Sequence, residues 1–380
     1  MQYPNEIQAA LLFDRRVDNL ETMVRDFVRI EGARSGAQFN VPEAKPGSFY
    51  RLFGGGEMMI TLEYLDHPAD PAVFQQTLAS VITGIMCPDI RERLTRSRSH
   101  ILVNVSHGAM GGVLQDAKIA AFLSQIDYRV PGASLPEFLR RMEVCALIAR
   151  IVGDHVRPQA VHWCQSNQLI PGEAFDDAAT MAAPSLLHVH PYLFGNARGE
   201  DGQPRIGIRT FGARHFIGGE VVVEPGPLPW AANYETILAF LRVATTQNGY
   251  LIPDGDTFGP EDRSLSYRVI HRAAEEGDVP VYELVPLMHR EYGFVAEDYV
   301  PEDRAINDRS PPPELMPEDD EAKMELANEW REKRRLAEGI GGRFEVRARD
   351  GGGEPPAGPG GGAPTFPRGI GQRVFGRKRI

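Results

Sequence analysis

Cysteine is scarce in this 380-residue chain. Cys87, Cys145 and Cys164 are odd in number and widely spaced, which excludes a disulfide framework and a CxxC zinc site. No apolar run is long enough to span a bilayer. The opening Met1-Gln2-Tyr3-Pro4-Asn5-Glu6 lacks the basic-then-apolar form of a signal peptide, so a cytoplasmic location is the expectation. Positive charge is in deficit, with 41 Lys and Arg against 52 Asp and Glu. The net charge of -11 argues against nonspecific nucleic-acid binding by the whole protein. HExxH, GxSxG and Walker-type loops are missing, so no motif announces a zinc protease, a nucleophile elbow or a nucleotide site.

What is present is a globular composition, 42% hydrophobic, in a chain long enough for two ordinary domains or for one large domain with a tail. Composition changes abruptly near residue 300. Ser310-Pro311-Pro312-Pro313 is a stiff spacer, and residues 318–338 read as one solvated, highly charged helix. Gly351 to Pro364 is nearly all Gly, Pro and Ala, too poor in apolar surface to offset its ordering entropy. The last dozen residues are basic. The expected organisation is a first α+β half over 1–130, a second over 131–300, and a disordered arm over 301–380.

In the first half, Ile7 to Phe13 is a short apolar run and a buried strand. Asp18 and Glu21 have capping-box spacing ahead of the helical face Leu20, Met23, Val24, Phe27 and Val28. Phe49–Phe53 and Met58–Tyr64 read as a hairpin around Gly54-Gly55-Gly56. Val73, Phe74, Leu78 and Val81 suggest a second helix, and Ile101–Val105 a further strand. That order is the split-βαβ order of a ferredoxin-like unit. In the second half, Ser134 and Glu137 form another capping box, and Gly153 is the expected helix stop. Ala160–Cys164, Ser185–Phe194, Arg205–Phe211, Tyr267–His271 and Val281–Val285 read as strands, and Pro229 opens a helix. The prediction is an α+β fold of two ferredoxin-like halves, the second a diverged copy of the first.

Several short stretches recur in the order of a known family: His100-Ile101-Leu102-Val103, Ala160-Val161-His162-Trp163, Arg209-Thr210-Phe211-Gly212, Asp254-Gly255-Asp256-Thr257-Phe258-Gly259 and Pro280-Val281-Tyr282-Glu283-Leu284. On these the chain resembles the domain-of-unknown-function 4261 family over residues 1 to about 290. The resemblance implies a bacterial α+β domain with no assigned reaction and no catalytic residues to carry over. The tail after residue 300 departs from that pattern.

Four residues suggest chemistry. His188 and His190 are two apart, so on a strand both imidazoles share a face, and His162 and Cys164 repeat that spacing. Four such N/S ligands could hold Zn in a tetrahedron, giving a metal-dependent enzyme as the alternative reading. The commoner reading of such pairs is a half-exposed polar face. Asp254, Asp256 and Asp262 start like a calcium loop. Leu265 stands at its twelfth position, where that loop needs a carboxylate, so a turn held by Asp side chains is expected. Arg209, Arg214 and His215 flank Phe211-Gly212 as an anion patch or, more simply, as partners for the many carboxylates. Ser106 and His107 are adjacent and point to opposite faces of a strand. The leading expectation is a non-enzymatic interaction or accessory protein without a cofactor. Its C-terminal arm would engage a protein partner through Phe366, Arg368, Arg373, Phe375, Arg377, Lys378 and Arg379.

Overall fold

The structure is a computed structural model that describes residues 3–55, 58–107, 134–195, 197–200, 202–246, 250–260, 264–274, 279–297 and 299. The basic C-terminal residues from Phe366 to Arg379 and the expected helix at 318–338 lie outside them. The fold is α+β, built on two sheets.

The first sheet is antiparallel throughout. Its strands are β1 (Glu6–Phe13), β2 (Phe39–Lys45), β3 (Phe49–Gly54), β4 (Met58–Leu65), β5 (Ser99–His107), β6 (Ala160–Trp163) and β7 (Gln168–Pro171), in the spatial order β2-β3-β4-β5-β1-β6-β7. β1 pairs with both β5 and β6. Its Ile7, Ala9, Leu11 and Phe13 face one core, while Ala10 and Leu12 face another. Two helices cover the first of those faces: α1 (Leu20–Ser35) and the 21-residue α5 (Leu135–His155). On the opposite face lie a 3₁₀ turn at Pro71–Phe74 and three short helices, α2 (Gln75–Ala79), α3 (Val81–Met86) and α4 (Ile90–Arg96). Phe74, Cys87 and Ile90 pack there against Ala10, Leu12, Ala160 and Leu169. The helix α6 (Gly172–Thr180) follows β7 directly.

The ferredoxin-like arrangement is not what this sheet forms. Such a unit would place β1 between β4 and β5, whereas β5 lies between β4 and β1. The reason is β2, an edge strand that sequence reading missed. It adds one chain reversal, so β4 runs parallel to β1, and β5, antiparallel to both, separates them. Pro42 hid β2, since proline is tolerated only at an edge or bulge. A bulge between Asn40 and Glu43 accommodates it. The boundary at residue 130 does not follow the sheets either, because α5, β6 and β7 complete the first one.

The second sheet is mixed. It contains β8 (His190–Phe194), β9 (Ile206–Phe211), β10 (Glu220–Gly226), β11 (Thr257–Phe258), β12 (Leu265–Arg272) and β13 (Val281–His289), with β14 (Phe294–Val295) paired to β13. β10 and β13 run parallel, and the other pairings are antiparallel. Between β9 and β10 sits the one-turn helix α7 (Arg214–Ile217). The long α8 (Trp230–Thr246) crosses this sheet. Its Asn233 Oδ1 accepts from Tyr267 of β12 at 3.0 Å, and its Phe240 packs on Phe258 and Tyr282. Phe138 of α5 meets Phe216 of α7 edge-on at 5.6 Å, so one apolar core runs across both sheets.

Helix boundaries obey local chemistry with three departures from expectation. The Ser134–Glu137 capping box forms, with reciprocal bonds at both ends. Gly153 does not stop α5, which continues to His155 because the packing of Ile151 and Val152 holds the last turn. Asp18 does not cap α1; Asn19 takes the N-cap position in the left-handed region, φ 66°, with no side-chain cap bond. The helix expected over 73–81 breaks at Ser80, whose ψ of 128° is extended.

Candidate functional site

Sequence reading placed chemistry on β6 and on a strand from Ser185 to Phe194. β6 is a strand, but the second expectation fails for residues 185–189. Those residues form a turn in which the amides of His188 and Val189 both donate to Ser185 O, at 2.9 and 3.0 Å. His188 and His190 therefore do not share a face. His188 turns into the core, edge-on to Trp163 at 5.9 Å and to Phe216 at 6.3 Å, with Nδ1 2.9 Å from Ser185 Oγ. His190 begins β8 and reaches the helix break, with Nε2 2.7 Å from Ser80 Oγ and its ring stacked on Tyr192.

His162 and Cys164 do come together, and they occupy each other. Asn167 Oδ1 accepts from His162 Nε2 at 2.9 Å, which puts the ring proton on Nε2. Nδ1 is then an acceptor, and the Cys164 thiol donates to it at 3.6 Å. Burial pushes that thiol up to about 12, so it stays protonated. Asn167 closes the β6–β7 turn in the left-handed region, φ 49°, and also accepts from Thr77 Oγ1. Its own amide donates to Gln76 Oε1 at 3.2 Å.

These residues form a buried polar seam where α2 and α3 meet β6, β7 and β8. Among the described residues, no three His, Cys, Asp or Glu side chains converge as a metal set. Desolvation lowers His188 and His190 to about 3, and His162 is lowered for the same reason. Ser80 and His190 have the separation of a nucleophile and its base, but an imidazole held near 3 is a weak base at neutral pH. Sequence reading missed Thr77, Ser80, Asn167 and Tyr192. Only Asn167 left a signal, as an asparagine between two strand-like runs.

The neighbouring turn after β9 is held by a buried carboxylate. Glu220 accepts from Thr210 Oγ1 at 2.7 Å and from the amides of Gly212 and Ala213 at 3.0 and 3.1 Å. Gly212 has φ 106°, and a Cβ there would meet His188 O at 2.5 Å, so only glycine fits. Arg214 lies 5.0 Å over the Phe211 ring and 3.9 Å from Glu220, and burial lowers His215 to about 4. Arg214 thus lies within ion-pair reach of the Glu220 carboxylate. In the glycine-rich turn, Asp254 Oδ1 accepts the His271 amide at 2.8 Å across the sheet, and Gly255 has φ 83°. Asp262 lies outside the described residues.

No protein-family model, no curated protein and no solved structure matches this chain.

Proposed function

We propose that this chain is a non-enzymatic interaction or accessory protein whose C-terminal arm engages a protein partner. The observation that carries this reading is an apolar surface on the short-helix layer. Val73, Val81 and Ile85 are 54%, 46% and 41% exposed within residues 73–85. Beside them a shallow cleft opens between the 3₁₀ turn and α4, lined by Leu12, Pro71, Phe74, Leu78, Arg91 and Leu94. Exposed apolar side chains close in sequence to an apolar cleft accord with an interaction site. The arm supplies the other part of the reading, because residues 366–380 join Phe366 and Phe375 to basic side chains, a chemistry suited to an acidic, grooved partner. The resemblance to a family without an assigned reaction accords with this reading.

The test compares the full chain with a version ending at Glu302 in affinity capture, adding a synthetic peptide of residues 366–380 as competitor. A partner held only by the full chain and displaced by the peptide supports the reading. Equal capture by both versions, unaffected by the peptide, sinks the role of the arm. The alternative, zinc held by His162, Cys164, His188 and His190, has on its side only the approach of Cys164 to His162. Stoichiometric zinc that disappears in H188A and H190A variants would favour it.

A further inference from the structure

The cleft between the 3₁₀ turn and α4 has a volume of about 220 Å³. That is below the roughly 300–1,000 Å³ common for drug-sized ligands, so it suits a small guest. Its base is apolar, since Leu12 of β1 and Phe74 are 1% and 3% exposed. Leu78 of α2 and Leu94 of α4 are its half-buried sides. One charged residue lines it, Arg91 in the first turn of α4. Its Nη2 donates to Leu78 O at 3.1 Å, which ties the guanidinium across the rim from one side to the other.

The later arginines of α4 are matched by carboxylates. Arg93 meets Asp89 and Glu173 at 3.0 and 2.7 Å, and Arg96 meets Glu92 at 3.5 Å. Among the described residues no carboxylate meets Arg91. Arginine keeps its charge and offers five N–H donors, so one bond to a carbonyl leaves most of the fork for a guest. Thr95 and Ser97 also line the cleft, but their hydroxyls already donate, to Arg91 O at 2.9 Å and to Ser99 O at 3.5 Å. The side chains around the cleft therefore offer one free donor group, a planar cation beside an apolar base.

We propose that this cleft binds a small monocarboxylate with an apolar body, its carboxylate on Arg91 and its body between Leu78, Leu94 and Phe74. A carboxylate matches the guanidinium fork with two parallel hydrogen bonds. Phosphate would bring a second charge and more acceptors than one guanidinium serves, and it would leave the apolar sides in water. A neutral apolar molecule would leave the fork unused. The inference goes beyond the partner reading, because that reading needs the arm and this site is built within residues 12–97.

The test follows the methyl resonances of Leu78 and Leu94 in the full chain during titration with sodium benzoate at constant ionic strength and pH 7. Benzamide and inorganic phosphate are parallel arms. The expected result is a saturable shift with benzoate, binding of benzamide weaker by about ten-fold, and no saturable shift with phosphate. R91M, a change at an exposed position, should weaken benzoate binding by about ten-fold, as expected for loss of one charge-assisted pair at a rim. Methyl signals unmoved by benzoate, equal binding by R91M, or an equal response to phosphate overturns the proposal. So does a shift that follows protein concentration or a peptide of residues 366–380 instead of benzoate, which would give the cleft to a second copy or to the arm. Failure of partner capture leaves the benzoate result standing, so the two readings fail separately.

Discussion

Strands β1 and β12 are both eight residues long, yet they are built for different surroundings. β1 lies inside the first sheet with helices over both faces, and every residue from Ala9 to Phe13 is buried. In β12, Tyr267 and Val269 are buried, while Arg268 and Ile270, which alternate with them, are partly exposed. The first sheet is a filling between two helical layers, whereas at β12 the second sheet is covered on one face. The difference explains why β1 reads as an unbroken apolar run and β12 as an alternation. It also shows where the fold concentrates its stabilisation, since each fully buried Leu, Ile or Phe contributes about 1.5–3 kcal/mol.

The strongest way to break that contrast is to cut into each sheet. Leu11→Ala in β1 and Leu284→Ala in β13 remove side chains that are 0% exposed, and each should cost about 2–5 kcal/mol. Because one core crosses both sheets, both variants should lower a single urea midpoint read by far-UV dichroism and by tryptophan fluorescence. Two separated transitions would show that the sheets unfold independently. Next in size is Glu220→Ala, which orphans one hydroxyl and two amides at the β9 turn. At about 1–3 kcal/mol for a buried group left unpaired, a loss near 3 kcal/mol is expected in the same assay. A loss below 1 kcal/mol would mean that water replaces the carboxylate.

The smallest effect per side chain sharpens the contrast by pH. His188 and His190 have folded pKa values lowered by burial to about 3, against about 6.5 unfolded. Their contribution is therefore complete above pH 6.5 and is lost as pH falls toward 3, because the unfolded chain takes up the protons first. Between pH 7 and pH 5, above the carboxylate range, the stability of the native protein should fall by roughly 2 kcal/mol for each histidine. His190→Gln should remove its own share of that slope, roughly 2 kcal/mol between pH 7 and pH 5, and leave the shares of the other buried histidines in place. An unchanged slope would show that the ring already carries a proton in the fold.

Much of the architecture was legible from residues. β1, the β3–β4 hairpin, the capped start of α5 and the start of α8 after Pro229 each carry a strong local signal, and each formed where expected. What escaped was decided elsewhere in the chain. β2 has Pro42 and little burial, so nothing local marks it, and yet it sets the strand order. The helical pattern around Val73–Val81 is real, but Ser80 bends the chain so that its hydroxyl reaches His190, 110 residues away. The histidine pairs were visible and their neighbours were not. His188 and His190 were separated by a turn whose carbonyl at Leu187 is taken by Ser166, a contact that no spacing rule contains.

The edge strand β2 has one more consequence. An exposed sheet border is a template on which a second chain can lengthen the ladder and start fibrous growth. Here the border is interrupted in its middle, where Val41 and Pro42 bulge out of register and proline supplies no N–H. Pro42 thus leaves that border without a donor at its centre, which makes it a poorer template for a second chain.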